Sequence, residues 1–523
     1  MNSWFWKKGL VFSIILPMMG TCGIANSVSI VNTHKSVFEL KDDSIYFLSD
    51  EGNNRLNPLN PSLSSGDEVD LLIITHKNFK DELQELVDHK NSHGIQTTLI
   101  TTEEIYRQYS GIDEQEQIKY CIKDYLDKYH IKYVLLVGGL RGYLRPPDKP
   151  AYWYVPVRYS HVDIDGFPET AYLCDLYYAD IYDKEGEGIF QTWDTAGTGD
   201  EWDEPNNIFG EWKWVWDESE NKLIEVKDER DLVPDVAIGR LACRTKKEVK
   251  IMVEKIITYE SVNHSDDCDD CWFNRMIVVG GDSRDDRCRD EAGTILDNGT
   301  IEGKLASGMA LDWVQTRFPD IEGVCFWPEE NSHVSMLDPN IFPENFIAEQ
   351  SNGSRFTYLV GHGRPGSWMN YPFHGNFQEF CYIFCYKDFP SIQNGDMLPV
   401  VVVHACNAAT FDKNLFQNMR DTTLECFCWR LTCKENGGSI ATVGNTAINY
   451  GSSGMEFTQS LSGYMSSRFF KVYGNGTDVV GDIWRGVITE YVDYIPKLNE
   501  LNKQDYKTLE SWVLLGDPSL RIG

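Results

Sequence analysis

Beyond its first 25 residues the chain has no apolar run approaching the ~18–20 residues that a membrane-crossing helix needs. A stable membrane span is therefore not expected. Cationic residues are also scarce: 48 Lys and Arg stand against 80 Asp and Glu, a formal net charge of −32. Such a surface repels a phosphate backbone, which excludes nucleic acid as a partner. Only one Cys-x-x-Cys occurs, Cys268 to Cys271, with Cys288 some way off. A structural zinc site wants two such pairs at suitable spacing, so zinc is not expected. No stretch has the spacing of an EF-hand. Apolar residues are not lacking. They make up 42% of the 523 positions, and aromatics make up 13%. A folded chain of two to four domains with a large core follows.

Lys7 and Lys8 precede the apolar run GLVFSIILPMMG, and Gly23-Ile24-Ala25 supplies small residues at cleavage spacing. Residues 1–25 read as a secretory signal peptide, so the protein is expected to be secreted or held at the cell surface. Its cysteines then read as disulfide formers. Cys22 raises the option of a lipid anchor, although the preceding Met-Gly-Thr fits that signal poorly. Residues 26–69 contain SDEGNNRLNPLNPSLSSGDE and read as a linker or short pro-segment. Asn263, Asn298, Asn352 and Asn475 each begin an Asn-x-Ser/Thr triplet.

From residue 69 the chain alternates. VDLLIIT (69–75) reads as a strand, NFKDELQELVDHKNSHG as a helix, IQTTLITT as a strand, residues 113–130 as a helix, and IKYVLLVGG (131–139) as a strand. This alternation predicts a parallel sheet with helices on both faces. LVPDVAIGRLACR followed by an amphipathic helix over 245–260 marks a boundary. An N-terminal α/β subdomain over 70–240 is expected before it, and a second subdomain over 241–523 after it. In the second, strands at 275–283, 324–326 and 437–446 and helices at 455–473 and 478–494 repeat the alternation. Between the halves, DKEGEGIFQTWDTAGTGDEWDEPNNIFGEW (183–212) is acidic and broken by glycine. Asp183, Asp194, Asp200 and Asp203 could supply hard oxygen ligands to a structural Ca²⁺; the alternative is a solvated acidic loop. No cofactor is required by anything in the sequence.

Two apolar runs end in reactive side chains. RFTYLVGHGRPGSW reaches His362 between Gly361 and Gly363, and MLPVVVVHACNAATF reaches Cys406. Both are rich in β-branched and aromatic residues and read as buried strands. Functional groups of an open α/β sheet collect beyond the carboxyl ends of its strands, so a His and a Cys at two such ends can meet. A thiol is mostly protonated at pH 7 and needs a cation or backbone N–H groups to favour the thiolate. His362 supplies charge and an acid for the leaving amine, and the N–H groups of Gly363 and Cys406 suit an oxyanion hole. The plainer alternative is a core Cys and a loop His. His404, two residues before Cys406, is a rival partner that strand alternation places on the same face.

An apolar strand ending in His-Gly, followed by one ending in Ala-Cys, resembles the caspase-like fold of cysteine peptidases. The gingipain-type family is the closer match. YLVGHGRPGSW is similar to that family's Gly-His-Gly segment, with Trp368 beyond it. CDLYYADIYD, the IGR strand-to-helix segment and WVLLGDPSLRI resemble three more of its segments in the expected order. The resemblance spans roughly residues 69–523. It implies an α/β, caspase-like three-layer sandwich with mostly parallel sheets and two tandem subdomains, the second being catalytic. It implies an endopeptidase acting on polypeptides through Cys406 and His362. It also implies Asp175 as the carboxylate that receives a basic side chain before the scissile bond, and Trp368 as a substrate-binding residue. Glu169 and Asp165 lie where an acid could orient His362. Other readings on the same fold are a processing protease or transpeptidase of surface proteins, and a non-catalytic surface or binding protein.

Overall fold

The computed structural model describes residues 68–164, 171–183, 188–195, 206–217, 221–262, 272–281, 300–327, 342–370, 381–415, 423–497 and 500–523. Ten of its strands form one sheet. In chain order they are β1 (Leu71–Thr75), β2 (Thr97–Thr101), β3 (Tyr133–Val137), β4 (Ala237–Leu241), β5 (Arg275–Gly280), β6 (Glu322–Phe326), β7 (Phe356–Val360), β8 (Val400–His404), β9 (Ala441–Asn445) and β10 (Trp512–Leu515). Across the sheet they lie in the order β6-β5-β7-β8-β9-β10-β4-β3-β1-β2. Every neighbouring pair is parallel except β9 and β10. The continuous apolar runs LLIIT, FTYLV and VVVVH are buried at every position. That pattern belongs to strands covered by helices on both faces, where alternation would leave a polar residue stranded.

Helices flank the sheet. α1 (Lys80–Ser92) ends one turn before Gly94, whose φ of +83° few other residues tolerate. α2 (Glu114–Tyr129) is capped by the Asp113 side chain, which accepts from the N–H of Glu116. α3 (Lys246–Ser261) packs on α1. α4 (Glu302–Arg317), α5 (Leu461–Gly474) and α6 (Val480–Tyr494) cover the later strands, with α5 packed between the other two. Among the described residues no helix is long and apolar enough to cross a membrane.

Residue 241 closes β4, so the strands before it form one end of the sheet and those after it the other. β10 joins the two ends. It runs antiparallel to β9, and its Leu515 is in register with Arg240 of β4. Gly516 then donates its N–H to the Arg240 carbonyl at 3.0 Å. A Cβ on Gly516 would stand 2.5 Å from the Ala441 Cβ, and one on Gly239 would stand 2.4 Å from the Gly516 carbonyl oxygen. Glycine at both places is what lets the three strands close. Asp517 follows, and its carboxylate pairs at 2.7 Å with the fully buried Lys90 of α1.

Several elements depart from the sequence expectations. Among the described residues, 171–183 hold one short strand, Tyr172–Cys174, paired with Arg158–Ser160. Tyr177 and Tyr178 follow in a buried 3₁₀ turn. An antiparallel hairpin of Trp212–Asp217 with Lys222–Lys227 was not expected, and neither were helices at Phe342–Ser351 and Lys503–Ser511. Residues 290–299, whose sequence DEAGTILDNG suits a helix start, lie outside the described residues.

Candidate active site

β7 and β8 are neighbours, with Val360 in register with His404. The pairing runs one step further, because Gly361 donates its N–H to the His404 carbonyl at 3.0 Å. Beyond that bond the first strand turns into a short hairpin, His362–Arg364 against Ser367–Asn370. Both glycines around His362 are dictated by contact. A Cβ on Gly361 would lie 2.6 Å from the Met369 carbonyl oxygen and 3.1 Å from the Trp368 indole. One on Gly363 would lie 2.7 Å from the Ala405 Cβ and 3.0 Å from the Cys406 carbonyl oxygen. Gly363 therefore brings the hairpin strand onto the turn that carries Cys406.

That turn is held on its far side by the end of β9. Asn407 has a φ of +56°, a left-handed conformation that Asn adopts more readily than most residues, and the chain reverses there. Asn407 donates its N–H to the Ala447 carbonyl at 2.8 Å, and Ala409 donates to Asn445 at 2.9 Å. The Thr410 hydroxyl donates to the Thr446 carbonyl at 2.9 Å. The N–H of Asn449 points at the Cys406 Sγ at 3.3 Å. Cys406 and His362 are 8% and 7% exposed, so both are sheltered.

The family model described as "Peptidase family C25" matches residues 64–523. The chain belongs to peptidase family C25. It therefore stands among cysteine peptidases. It is 19% identical over 461 residues to Gingipain R2 of Porphyromonas gingivalis, covering 86% of this chain and 46% of that protein. It is 22% identical to Gingipain R1 of the same organism, covering 86% of this chain and 34% of that one. The chain thus spans about half the length, or less, of these curated relatives. Among solved structures it superposes on "Crystal structure of the Arg specific cysteine proteinase gingipain R (RGPB)" with a TM-score of 0.53 at 15% identity, covering 87% of this chain and 78% of that one. It superposes on the RgpB complex of pro- and mature domains with a TM-score of 0.54, also at 15% identity, covering 86% and 79%. The fold is caspase-like α/β, as its motifs led us to expect.

In this C25 chain the remaining sequence-selected residues fall in different places. His404 is fixed in the core. Its Nδ1 meets the Ser466 hydroxyl at 3.0 Å and its ring stacks on Phe457 at 5.0 Å. Burial pushes its pKa down to about 3, and the nearby His362 adds to the effect. A ring that stays neutral at working pH supplies no cation to a thiolate.

Asp175 does not match the role of a receptor for substrate cations. Both its oxygens are taken by the fully buried Arg240: Nε donates to Oδ2 at 2.6 Å and Nη2 to Oδ1 at 2.7 Å. A carboxylate already neutralised by an internal guanidinium has no charge to offer a substrate. The Arg240 Nη1 also donates to the carbonyls of Gly138 and Val155, both at 2.8 Å. Two of the segments that carry the resemblance, CDLYYAD and IGR, are thus two halves of one ion pair. Trp368 is likewise not a substrate contact through its side chain. Its indole is fully buried, lies 6.0 Å from the Phe342 ring and forms the floor beneath Gly361.

The acidic loop is partly described. Asp183 accepts from the N–H of Ile189 at 3.1 Å. Asp194 accepts from the N–H groups of Asn206 and Asn207, each at 2.9 Å, and is buried. Both carboxylates hold backbone, and among the described residues no group of three or more metal-ligating side chains occurs. Asp200, Asp203, Asp165 and Glu169 lie outside the described residues. Sequence reasoning missed Arg240 as the partner of Asp175, although an Arg inside the apolar strand AIGRL was its signal. It also missed Asn445, the last residue of β9, and Asn449 just beyond it.

Proposed function

We propose that this chain is a cysteine endopeptidase in which Cys406 is the nucleophile and His362 the acid and base. One observation carries the reading: Gly363 lies against Ala405 and Cys406, so the His362 hairpin sits on the turn that carries the thiol. The hairpin's geometry supports an oxyanion site there. Arg364 and Ser367 flank a two-residue turn and form its hydrogen-bonded pair. Hydrogen-bonded and open pairs alternate in an antiparallel ladder. Gly363, opposite Trp368, falls at an open pair, so its N–H points away from the hairpin. In the reaction the Cys406 thiolate attacks the scissile carbonyl carbon and forms the S–C bond. The N–H groups of Gly363 and Cys406 receive the developing oxyanion. As the C–N bond breaks, His362 gives its proton to the leaving amine. Water then attacks the thioester carbon as His362 takes its proton, and the S–C bond breaks to release the acid and return the thiolate.

Cleavage after basic residues is part of the proposal. It draws on the Arg specificity of one structural neighbour, gingipain R, and on the acidic surface of this chain, net charge −32. Because Asp175 is occupied by Arg240, the selecting carboxylate is a different residue. Export by the N-terminal 25 residues and a structural Ca²⁺ in the acidic loop complete the reading.

The test compares the mature chain with Cys406→Ala and His362→Ala on fluorogenic peptides ending in Arg, Lys, Asp or Asn, with and without Ca²⁺. Cleavage after Arg or Lys by the unaltered chain alone is the expected result. Equal cleavage by the unaltered chain and Cys406→Ala, or none by either, overturns the reading.

A further inference from the structure

The Cys406 Sγ has a backbone donor that neither the dyad nor the oxyanion site includes. Asn449 presents its N–H to the sulfur at 3.3 Å. What aims that N–H is a buried amide network behind β9. Asn445, fully buried, accepts from the Ala447 N–H at its Oδ1, at 2.8 Å. Its Nδ2 donates to the Asn449 Oδ1 at 2.8 Å and to the Ser511 hydroxyl at 3.0 Å. The Ser462 hydroxyl donates to the same Asn449 Oδ1, and the Trp512 indole N–H donates to Ser462 at 3.3 Å. One side chain thus grips both ends of the turn from Ala447 to Asn449. The same turn accepts the Asn407 N–H at Ala447, 2.8 Å away. The turn is therefore registered to the nucleophile on both sides of the sulfur.

We propose that Asn445 is a positioning residue for the nucleophile. It holds the 447–449 turn so that the Asn449 N–H stabilises the Cys406 thiolate. This rests on Cys406 being the nucleophile. An N–H hydrogen bond to an ionised group favours that ionised form, and a thiolate at a sheltered site gains more from it than an exposed one. Loss of the network lets the turn drift and weakens the bond to sulfur. The thiolate fraction at neutral pH then falls, while the thiol itself is untouched.

The experiment follows carboxamidomethylation of Cys406 by iodoacetamide across pH 5–10, read by mass spectrometry of the peptide that contains it. Cys406→Ala serves as blank, and Asn445→Ala is the probe. The expected result is a reaction about tenfold slower at pH 7 for Asn445→Ala, the equivalent of one pKa unit, with the profiles converging at high pH. The kcat/KM on a peptide substrate should fall by a similar factor at pH 7. Asn394→Ala controls for loss of a buried amide elsewhere: Asn394 holds Met397 and Gly438 far from the sulfur. It should lower the melting temperature without moving the profile. If Asn445→Ala does not fold, Ser462→Ala removes a single donor to Asn449 and should slow alkylation about threefold. Superimposable alkylation profiles for the unaltered chain and the variant overturn the proposal. Because alkylation reports the thiol and not peptide cleavage, a failure of the peptidase reading would appear separately, as activity that survives in Cys406→Ala.

Discussion

Replacing Asp175 by Asn separates a structural carboxylate from a selective one. The side chain keeps its size but loses its charge, leaving the Arg240 guanidinium buried with amide and carbonyl partners only. Breaking a buried ion pair by removing one partner costs about 3–5 kcal/mol. Arg240 keeps its bonds to the carbonyls of Gly138, Val155 and Pro156, which places Asp175→Asn near 3 kcal/mol, the lower end of that range. Arg240→Met should cost more. It strands the Asp175 carboxylate, and the carbonyls of Gly138 and Val155 lose the guanidinium N–H as well, each at about 1–3 kcal/mol. The Pro156 carbonyl is spared, since the Tyr178 hydroxyl also donates to it at 2.8 Å. Arg240→Met should therefore lie at least ~2 kcal/mol below Asp175→Asn. Urea denaturation followed by tryptophan fluorescence gives both stabilities. The same samples, assayed below their unfolding midpoints on Arg- and Lys-terminated peptides, give selectivity. The structure predicts destabilised variants with an unchanged preference. A variant Asp175→Asn as stable as the unaltered chain but unable to cleave after Arg and Lys would refute the reasoning.

Two further outcomes follow from the site. His404 has a folded pKa of about 3 against about 6.5 in an unfolded chain, so the unfolded state binds the extra proton between those values. Its contribution is complete above pH 6.5 and is lost as pH falls toward 3, at up to ~1.4 kcal/mol per pH unit. His404→Gln should therefore be less acid-sensitive than the unaltered chain between pH 6 and 4, as read by urea midpoints at each pH; parallel curves would contradict this. Gly363→Ala places a Cβ 2.7 Å from the Ala405 Cβ. It should cost about 1–3 kcal/mol of stability and, by moving an oxyanion donor, about 10²-fold in kcat. Unaltered kinetics would show that the hairpin does not bear on catalysis.

Much of the fold was legible because parallel strands buried on both faces have no alternative sequence pattern. VVVVH and FTYLV read as strands without any knowledge of their neighbours, and their chain order implied the parallel pairing. The Gly-His-Gly and Ala-Cys ends were legible because functional groups of an open α/β sheet collect beyond the carboxyl ends of its strands. Asp175 and Trp368 were misread because a motif names residue types and not what each touches. Asp175 is paired with Arg240, and Trp368 packs against Gly361. The antiparallel β10 was not legible at all. WVLL reads as any buried strand, and its direction is set by a long-range fit between Gly516, Ala441 and Gly239 that no local pattern contains.

The two halves of the chain are joined around Cys406 even though only the second carries Cys406 and His362. The loop after Cys406, residues 407–415, is built against the first half and the segment that follows β4. Arg244, just past β4, donates to the Phe411 carbonyl at 3.0 Å, and the Tyr159 hydroxyl of the first half donates to Asp412 at 2.9 Å. The Leu415 N–H donates to the Tyr143 carbonyl at 2.9 Å. The Phe411 ring lies edge-on to Trp153 at 6.0 Å and beneath the Arg240 guanidinium at 5.3 Å. Thr446, at the end of β9, donates to the Leu173 carbonyl at 2.7 Å, one residue before the strand that delivers Asp175 ends. The Asp175–Arg240 pair therefore does affect the site, though not by greeting a substrate. It braces the N-terminal half, against which the loop after Cys406 is folded.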